Sequence, residues 1–526
     1  MVNRQSSLVR GSQTIALGCA LAIGGLAMAQ PAAGQEKILR VGVGELSKAK
    51  GNPYVGSGLP HIYVWAAMYD AMVDVDFTGT PRPLLTESWQ NVEPTTWRFK
   101  LKPNVQFQNG RPLTSAAIVE MFAYLATEDG RKTVRGAAAN AAGITSVTAV
   151  DNQTVEFKTR AGNAILPTLL SNFDVPEPRH FAEVGADGVR EKPIGTGAYM
   201  LNAWSSNNAR LVAHPGYHGG KPKVDVVMIV ELPEAAARRD ALLSNQIDID
   251  TNPLLDDFKR LRAAGITIDV TPASNVGGIA MISAGQVDGK GKETLFVDKR
   301  LRQAMNMVLD RETMSRDLTE GLGIVATQAA TTGTFGFNPN VPKYPYDPAG
   351  AKKLLTEAGH PNGFKMRMPA LTQDPLAKLV YERALSDMSK VGVQGELIGV
   401  TLAEWLKHFV SGTWLQEGAI AFGSGHAMNP EMDASAALGK YTGCHKRPEV
   451  SIFYCDEGEA KLLDAAAAEF DPVKRKVILQ NLMQLNHDNN SNALLLEIPR
   501  FMSYNKRVTG FHQAFTKIYY GDIGLN

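Results

Sequence analysis

Cysteine is scarce in this chain of 526 residues, which contains only three. A disulfide-rich scaffold is excluded, because such scaffolds need several cysteines in a short chain. Cys19 lies inside an apolar N-terminal stretch, which leaves Cys444 and Cys455 as an even pair for an oxidising compartment. They bracket a loop that contains Pro448 and directly follows Gly443, and we predict that they form a disulfide. The alternative is a metal site made by both thiols and His445, in which two of the ligands would be adjacent in sequence.

Long apolar runs are absent after the N-terminus, so no later segment is expected to span a membrane. The apolar stretch at residues 14–29 follows Arg4 and Arg10 and ends in Ala27-Met28-Ala29. This arrangement is typical of a secretory signal peptide and predicts residues 1–29 as the leader, with cleavage as late as residue 34 as a variant. A membrane anchor and a lipid-modified Cys19 are the alternatives. Apolar residues continue for ten positions beyond Cys19, which disfavours lipidation and favours a free periplasmic protein.

An excess of charge of either sign is also missing. The chain has 54 basic and 53 acidic residues, and loss of Arg4 and Arg10 with the leader leaves 52 against 53, a net charge of −1. Such a balance gives no electrostatic reason to expect nucleic acid or an anionic membrane as a partner.

Three enzyme motifs do not occur: G-x-S-x-G, H-E-x-x-H and the P-loop. Gly195 and Gly197 do form a G-x-G, in PIGTGAYMLNAW at 193–204. A phosphate-binding loop would open a helix there, whereas the residues that follow alternate as in a strand. We therefore predict a turn in which the glycines allow close approach of backbone. No catalytic residue, metal site or cofactor is predicted.

Local patterns predict alternating strands and helices, hence an α/β fold. The segments 37–44 and 96–101 are predicted strands, and 145–157 is a predicted hairpin that turns at Asp151-Asn152. Thr114, Asp298, Asp347 and Asp471 are each predicted to begin a helix, and Gly359 to end the third. The apolar residues predicted to face the core from the second and fourth of these helices are Leu301, Ala304, Met305, Val308 and Leu309, and then Val477, Ile478, Leu482 and Leu485.

Five segments then stand in an order and form that resemble the extracellular solute-binding proteins of family 5, the dipeptide-, oligopeptide- and nickel-binding receptors of ABC importers. They are YDAMVDVDFTGTPRPLLTESWQ at 69–90, TWRFKLKPNVQFQNGRPLTSAAIV at 96–119, the region 193–229 that begins PIGTGAY, FVDKRLRQAMNMVLDRETM at 296–314, and YPYDPAGAKKLLTEAGHPNGF. The resemblance covers roughly residues 38–512. His218 and Asn109 depart from the residues that are usual in the family, at positions expected to be structural turns.

The resemblance implies a two-lobed α/β periplasmic-binding-protein fold with an extra subdomain and two hinge crossings. We expect lobe I to comprise residues 36–270 and 493–526, and lobe II residues 271–492, with crossings near 271–283 and 492–499. It also implies a monomer that binds a small molecule or peptide between its lobes and delivers it to the transmembrane subunits of an ABC permease. A secreted hydrolase, and a sensor or chaperone without a transport role, are the alternatives.

The resemblance places ligand contacts in the segment 420–430, so we expect Phe422, Ser424, His426 and Asn429 to contact the ligand. Many peptide receptors of the family carry an aspartate here that pairs with the peptide's α-amino group. In this chain the next acidic residue is Glu431, and a buried ammonium without a carboxylate is costly. A blocked or differently oriented peptide, a sugar-like, opine-type or amine-bearing metabolite, and a metal chelate therefore stand beside a free dipeptide as possible ligands.

Other candidate ligand contacts come from three further segments. Trp405 and Trp414 are candidate aromatic walls, with core packing as the alternative, and Thr334 and Phe335 lie on a glycine-rich loop, with a plain surface loop as the alternative. The residues that follow the first strand, where the carboxyl ends of sheet strands commonly open onto a ligand, are Asn52, Tyr54 and His61.

Overall fold

The computed structural model describes residues 36–526 apart from residues 57, 77, 273–275, 284–293, 373, 402–403, 406, 409–412, 415–417, 427–428, 430, 439–452 and 515–516. For residues 424–426 it describes the backbone alone. The predicted leader, residues 1–29, lies outside the described residues.

Strands of the described residues, in chain order, are β1 (Ile38–Val43), β2 (Val73–Val75), β3 (Pro81–Pro83), β4 (Thr86–Glu93), β5 (Thr96–Leu101), β6 (Ile144–Ala149), β7 (Thr154–Thr159), β8 (Tyr199–Trp204), β9 (Asn208–Ala213), β10 (Val226–Glu231), β11 (Ile249–Asp250), β12 (Thr267–Thr271), β13 (Val276–Met281), β14 (Ile324–Val325), β15 (Lys365–Leu371), β16 (Gln394–Val400), β17 (Ala421–His426), β18 (Asn492–Glu497), β19 (Arg500–Tyr504), β20 (Val508–Thr509), β21 (Gln513–Ala514), β22 (Lys517–Ile518) and β23 (Gly524–Leu525).

Helices of the described residues are α1 (His61–Met68), α2 (Ser115–Leu125), α3 (Glu128–Arg131), α4 (Val134–Ala141), α5 (Leu166–Leu169), α6 (Pro178–Glu191), α7 (Ala235–Leu243), α8 (Phe258–Ala263), α9 (Lys299–Met307), α10 (Arg311–Thr319), α11 (Pro348–Glu357), α12 (Pro375–Ser389), α13 (Ala434–Leu438), α14 (Glu457–Ala468) and α15 (Pro472–Asn489).

A seven-stranded mixed sheet has the order β12-β19-β11-β1-β10-β9-β8, in which β1 runs parallel to both β10 and β11. Its core includes Leu39, Val41 and Val43 of β1, which are at most 1% exposed. A four-stranded antiparallel sheet, β4-β5-β7-β6, has its own aromatic core with α2. We call this sheet, together with α2 to α6, the subdomain.

A second four-stranded sheet, β14-β18-β13-β17, is antiparallel throughout. Strands β15 and β16 form a parallel pair joined by α12, and their apolar residues share a core with β13, α9 and α12. We call these elements, with α9 to α15, the second body.

Two chain connections link the two large sheets. The chain leaves the seven-stranded sheet after β12 and enters the second body with β13, and it returns from β18 to β19. Thr271 of β12 pairs with Arg500 of β19, and Val276 of β13 pairs with Glu497 of β18, so the strand ends that flank the two connections are neighbours in both sheets. Strand β18 spans the predicted boundary at residue 493 yet pairs with β13 and β14, so residues 493–497 belong to the sheet of the second body. The lobe bounds as a whole stay a prediction.

Most of the local predictions are confirmed. The predicted strands correspond to β1 and β5, and the hairpin is β6–β7, where Asp151 accepts the backbone N–H groups of Gln153 and Thr154, both at 2.8 Å. Helices α9, α11 and α15 begin directly after Asp298, Asp347 and Asp471, and each of these carboxylates accepts a backbone N–H of the first turn.

Two details of the helices differ from the predictions. Thr114 precedes α2 in an extended conformation, but its side chain makes no capping hydrogen bond. Val477 is 52% exposed, because α15 turns Leu479, Leu482 and Met483 toward the core.

Candidate functional site

Residues 429 and 431–435, which we call the Glu431 segment, include the start of α13 and lie against the loop 331–335. The backbone N–H of Phe335 donates to the carbonyl of Met432 at 2.9 Å, and that of Ala434 donates to the carbonyl of Phe335 at 3.0 Å. Asn429 closes the turn, since its Nδ2 donates to the carbonyl of Asp433 at 3.0 Å and its Oδ1 accepts the Asp433 N–H at 3.3 Å. The fold thus brings the predicted contacts Phe335 and Asn429 together.

A buried ion pair fixes the same segment to α15. The Arg475 guanidinium donates to both carboxylate oxygens of Asp433, at 2.6 and 2.9 Å, and both residues are at most 5% exposed. Arg475 also donates to the carbonyl of Ala466 at 2.9 Å and lies over the Phe335 ring, 5.4 Å from its centroid. Because this bidentate pair is buried and further hydrogen-bonded, it holds the Glu431 segment in one conformation.

The Glu431 segment, in the second body, contacts the subdomain. The Nδ2 of Asn172, which follows α5, donates to Oε1 of Glu431 at 2.9 Å. Gly79 has a φ of 76°, and a Cβ added to it would lie 2.2 Å from the Met432 carbonyl oxygen, so only glycine fits this contact. On the same side, the Trp97 and Phe470 rings pack with centroids 5.9 Å apart.

Arg135, on α4, is a buried cation whose charge interacts with that of Glu431. It is 9% exposed, and burial lowers the pKa of its guanidinium, while Asp174 and Glu431 oppose that shift. Arg135, Asn172 and Glu431 are not among the ligand contacts predicted from the sequence. Two features of the sequence could have indicated them. Arg135 is the one charged residue in the small-residue segment VRGAAANA, and Glu431 is the first acidic residue after Phe422.

The aromatic candidates lie in a core cluster of the second body. Phe422 packs between Trp405, Trp414 and Phe453, with ring centroids at 6.1, 5.9 and 4.6 Å from its own. Trp405 also donates from Nε1 to the carbonyl of Gly423 at 3.4 Å. All of these rings are at most 8% exposed, so the structure places them in packing contacts, and their contact with a ligand stays a prediction.

The candidates after the first strand face the subdomain. Asn52 donates to the carbonyl of Ala186 at 3.1 Å and accepts the N–H of Tyr54 at 3.0 Å. Tyr54 is 2% exposed and stacks on Tyr124 at 5.4 Å, and its carbonyl accepts the N–H of Arg135 at 3.2 Å. This group therefore lies beside the Arg135 helix.

His61, at the start of α1, is hydrogen-bonded through Nδ1 to the hydroxyl of Ser47 at 2.7 Å and stacks on Trp65 with centroids 4.9 Å apart. Burial lowers the pKa of His61, and the positive charge of Arg135 lowers it further, against the effect of Glu45. His61 thus belongs with Asn52 and Tyr54 on the Arg135 side, away from the aromatic cluster.

Two candidates are described by backbone alone. Ser424 and His426 lie on β17, opposite Gly278 and Val276 of β13, and their side chains lie outside the described part of the structure. Thr334 is 3% exposed and shares a hydrogen bond of 2.9 Å with the hydroxyl of Thr331. Whether any of the three touches a ligand stays a prediction.

Cys455 is disulfide-bonded. Its predicted partner, Cys444, lies outside the described residues, as does His445, so the pairing stays a prediction. Within the described ranges, no group of three or more His, Cys, Asp or Glu side chains is arranged to hold a metal ion. No helix among the described residues combines the length and the apolarity that crossing a membrane requires.

Glu497, the last residue of β18, is a buried acid at the second chain connection. It is 3% exposed, and burial raises its pKa to about 7, against the effect of hydrogen bonds from Thr332. The backbone N–H and the hydroxyl of Thr332 donate to its two oxygens at 2.9 and 3.1 Å. Glu497 thereby ties the loop 331–335 to the connecting strand.

We expect E497Q to gain stability relative to the parent chain as the pH rises from about 5 to about 8. The pKa of Glu497 is raised above its ordinary value of 4.5, so the carboxyl stabilises the fold fully at low pH, and this contribution is lost as the pH rises through about 7. The loss corresponds to about 3 kcal/mol. Glutamine removes the charge, accepts the Thr332 N–H and donates to the Thr332 hydroxyl.

Urea unfolding of the parent chain and E497Q at both pH values measures this effect, and the difference between the two proteins at each pH cancels the other titrating groups. Glu457→Gln, at an exposed position on α14, is the control. If the free energies of unfolding of E497Q and the parent chain changed in parallel with pH, Glu497 would ionise as readily in the folded as in the unfolded chain, and the prediction would be wrong.

Comparison with known proteins finds one family model that matches most of the chain. Residues 80–441 match the family described as bacterial extracellular solute-binding proteins, family 5 Middle. A dipeptide-binding protein of Escherichia coli (strain K12) is 25% identical over 490 residues, a match that covers 88% of each chain.

Solved structures agree in fold over nearly the whole chain. The dipeptide-binding protein from Pseudoalteromonas sp. SM9913, in complex with Met-Leu, has a TM-score of 0.79 at 18% identity and covers 93% of this chain and 100% of that chain. AgaA from A. tumefaciens R10, in complex with agropinic acid, has a TM-score of 0.77 at 21% identity and covers 93% of this chain and 99% of that chain. The predicted α/β fold class is confirmed by these likenesses.

The ligands of these relatives differ, whereas the architecture is shared. The family match spans well over half of the chain, and the family consists of binding proteins that carry out no chemical conversion, so the prediction of a non-enzyme is confirmed. Together with the paired sheets and the two connections between them, this match shows that the chain belongs to family 5 of the bacterial extracellular solute-binding proteins.

Proposed function

We propose that this chain is the periplasmic receptor of an ABC importer, which captures a small solute, peptides included, between two lobes and delivers it unaltered to the membrane permease. The observation that carries the proposal is that the chain passes twice between the seven-stranded sheet and the second body, through connections whose flanking strands are paired, β12 with β19 and β13 with β18. Two short, adjacent connections let two rigid bodies rotate about one axis and close on a ligand.

Closure has a defined meeting point in this chain. The Asn172–Glu431 hydrogen bond joins the subdomain to the second body, and its two residues are 259 positions apart in the sequence. When such a cleft closes, water leaves it, and a few hydrogen bonds and apolar walls then select the ligand. The predicted contacts Ser424, His426 and Asn429 are part of this proposal, because they lie on or next to β17, directly before Glu431.

The cellular setting is also part of the proposal. The leader pattern at residues 1–29 favours export, and a disulfide at Cys455 suits an oxidising compartment. The permease partner follows from the family. In the closed form the two lobes have a fixed arrangement that the permease can recognise. In the open form they do not have this arrangement.

The test is a thermal-shift and small-angle scattering experiment on the mature protein with a library of peptides, opine- and sugar-type metabolites and metal chelates. A bound solute at 100 times its dissociation constant should stabilise the fold by about 2.7 kcal/mol. The same solute should lower the radius of gyration, and mass spectrometry should recover it unaltered. Cells that lack either this gene or the permease should lose uptake of that solute.

Two results would contradict the proposal. Conversion of a bound compound into a product would support the hydrolase alternative. Binding with no change in the radius of gyration, together with normal uptake in cells lacking this gene, would support a sensor or chaperone.

A further inference from the structure

Met432 is a buried apolar residue of the Glu431 segment with an unusual backbone conformation. Its φ is 45°, in the left-handed region that residues other than glycine seldom occupy, and it is 0% exposed. The second body itself holds this conformation, because the Met432 N–H donates to the carbonyl of Asn429 and the Met432 carbonyl accepts the N–H of Phe335, both at 2.9 Å. Backbone strain that a fold maintains in this way is concentrated at sites that bind or switch.

The side chain of Met432 is buried by residues from outside the second body. It forms one apolar cluster with Val75, the last residue of β2, and Ala514, the last residue of β21, and Tyr519 packs against that cluster. Gly79, in the turn after β2, completes the surface, since a Cβ added there would lie 3.1 Å from the Cβ of Met432. We call these four partners of Met432 the socket.

The socket is held by contacts that do not include Met432. Val73, at the other end of β2, packs in the aromatic core of the subdomain, and Ile518 of β22, the strand paired with β21, packs in the core of the seven-stranded sheet. The hydroxyl of Tyr519 donates to Asp74 of β2 at 2.7 Å and so joins the two parts of the socket. The socket therefore belongs to the side of the protein that the second body closes against.

The contacts of Met432 thus divide into hydrogen bonds within its own body and apolar contacts with the socket. Rotation about the two chain connections would keep the hydrogen bonds and break the apolar contacts. Separation exposes apolar surface to water, so these contacts favour the closed arrangement. Every partner is a protein atom, so the contacts act with or without a ligand. The flexible thioether of methionine suits a contact that is repeatedly made and broken.

We propose that Met432 and the socket form a reversible latch, which holds the two bodies closed for part of the time in the absence of a ligand. The proposal rests on the proposed function, because a latch requires two bodies that separate and meet again. A solute that binds the closed form binds more tightly when the closed fraction is larger. The latch therefore sets part of the affinity for every such solute through the closed fraction alone.

The first test follows methionine oxidation by hydrogen peroxide in the mature protein with no added solute. Peroxide transfers one oxygen atom to the thioether, which becomes the sulfoxide, and leaves as water, so the rate at each site, measured by peptide mass spectrometry, reports exposure of the sulfur. Met305, in the core of the second body and also 0% exposed, is the control. Met432 should react at least about tenfold faster than Met305, and at least about threefold more slowly than Met432 of the urea-unfolded chain.

Either limit of this rate would overturn the proposal. Equal rates for Met432 and Met305 would show that Met432 is a permanent core residue, exposed only when the whole fold opens. A rate as high as in urea would show that the latch does not form.

The second test acts on the latch from the socket side. In G79A the added Cβ would lie 2.2 Å from the carbonyl oxygen of Met432, so the variant should open the latch and raise the rate of Met432 oxidation at least about twofold. G110A is the matched control. The φ of Gly110 is 80° and that of Gly79 is 76°, so alanine strains both turns alike, but a Cβ at position 110 meets no atom within 4 Å.

G110A should oxidise at Met432 as the parent does. An unchanged rate in G79A, or an equal rise in both variants, would contradict the latch, because the effect would then be absent or would come from turn strain alone. Circular dichroism and unfolding midpoints establish that both variants are folded.

Hydrogen exchange of the Phe335 amide separates movement of the two bodies from fraying of the Glu431 segment. Its bond to the Met432 carbonyl lies within the second body, so its protection should be the same in G79A and in the parent. Loss of this protection together with faster oxidation would show that the segment frays by itself, and the latch would be wrong.

Failure of the latch and failure of the proposed function give different results. The oxidation and exchange rates are measured without any solute, so a latch that fails leaves the scattering and uptake experiments intact as tests of the receptor. If the latch behaves as expected and yet no compound changes the radius of gyration or the uptake phenotype, the two bodies move but the receptor function fails.

Discussion

Replacing Arg475 with methionine should lower the free energy of unfolding by about 3–5 kcal/mol. The variant leaves the carboxylate of Asp433, which is 4% exposed, without the two hydrogen bonds that compensate for its burial. An uncompensated buried charge is far more costly than a missing buried pair. Methionine retains most of the side-chain volume, so the loss reports on charge and hydrogen bonding.

A double variant separates the cost of leaving the Asp433 carboxylate unpaired from the cost of losing the packing of Arg475. Adding Asp433→Asn to R475M should recover at least about 1 kcal/mol, because asparagine removes the charge and still accepts a hydrogen bond from Ser435. The control is Arg98→Met, whose exposed pair with Glu156 on the subdomain should be worth no more than about 1 kcal/mol. Urea unfolding measures all three. An equal loss for R475M and Arg98→Met would show that the buried pair contributes nothing beyond a surface pair.

The same substitution should also weaken ligand binding. Asp433 holds Asn429 through both of its backbone groups, and Met432 carries the hydrogen bond from Phe335. Without Arg475 the Glu431 segment loses its anchor to α15, so Glu431 meets the subdomain less often in the right geometry. Stability and affinity should therefore fall together in R475M.

Sequence reasoning succeeded where structure is decided within a few residues. The aspartates before α9, α11 and α15 begin helices because their side chains accept N–H groups two or three positions ahead, a contact that any tertiary environment permits. Val477 shows the limit of this reasoning. Its apolar character predicts a place on the core face, but α15 packs through the adjacent face that carries Leu479, Leu482 and Met483. Which of two adjacent apolar faces is buried depends on the surface against which the helix packs.

The candidate site could be predicted only in part, because its contacts join distant segments. The segment 420–430 was found through a resemblance, and Asn429 does lie in the turn that leads to Glu431. Arg135 and Asn172 approach that turn from the subdomain, at sequence separations that no local pattern encodes. Trp414 and Phe422 illustrate the opposite problem, since an aromatic wall and an aromatic core have the same local sequence pattern.

Gly197→Ala should lower the free energy of unfolding by about 3 kcal/mol or more, although it adds a single methyl group. A Cβ on Gly197 would lie 2.4 Å from the carbonyl carbon of Met68 and 2.6 Å from the nitrogen of Tyr69. These are backbone atoms at the end of α1, and they are held in place because Gly197 donates to the Met68 carbonyl at 3.0 Å and Gln108 donates to the same oxygen at 3.1 Å. Because no side-chain movement can relieve this overlap, the destabilisation should lie at the upper end of the range usual for overpacking.

Gly44→Ala is the matched control, because Gly44 is exposed and an added Cβ would meet only the end of the Arg238 side chain, at 3.5 Å. It should change stability by less than about 0.5 kcal/mol. Urea unfolding of both variants tests the interpretation of the G-x-G as a point of close backbone approach between the turn before β8 and the end of α1. If Gly197→Ala were as stable as Gly44→Ala, the glycine would not be required by packing, and another reason for it, including a ligand close to the backbone, would have to be sought.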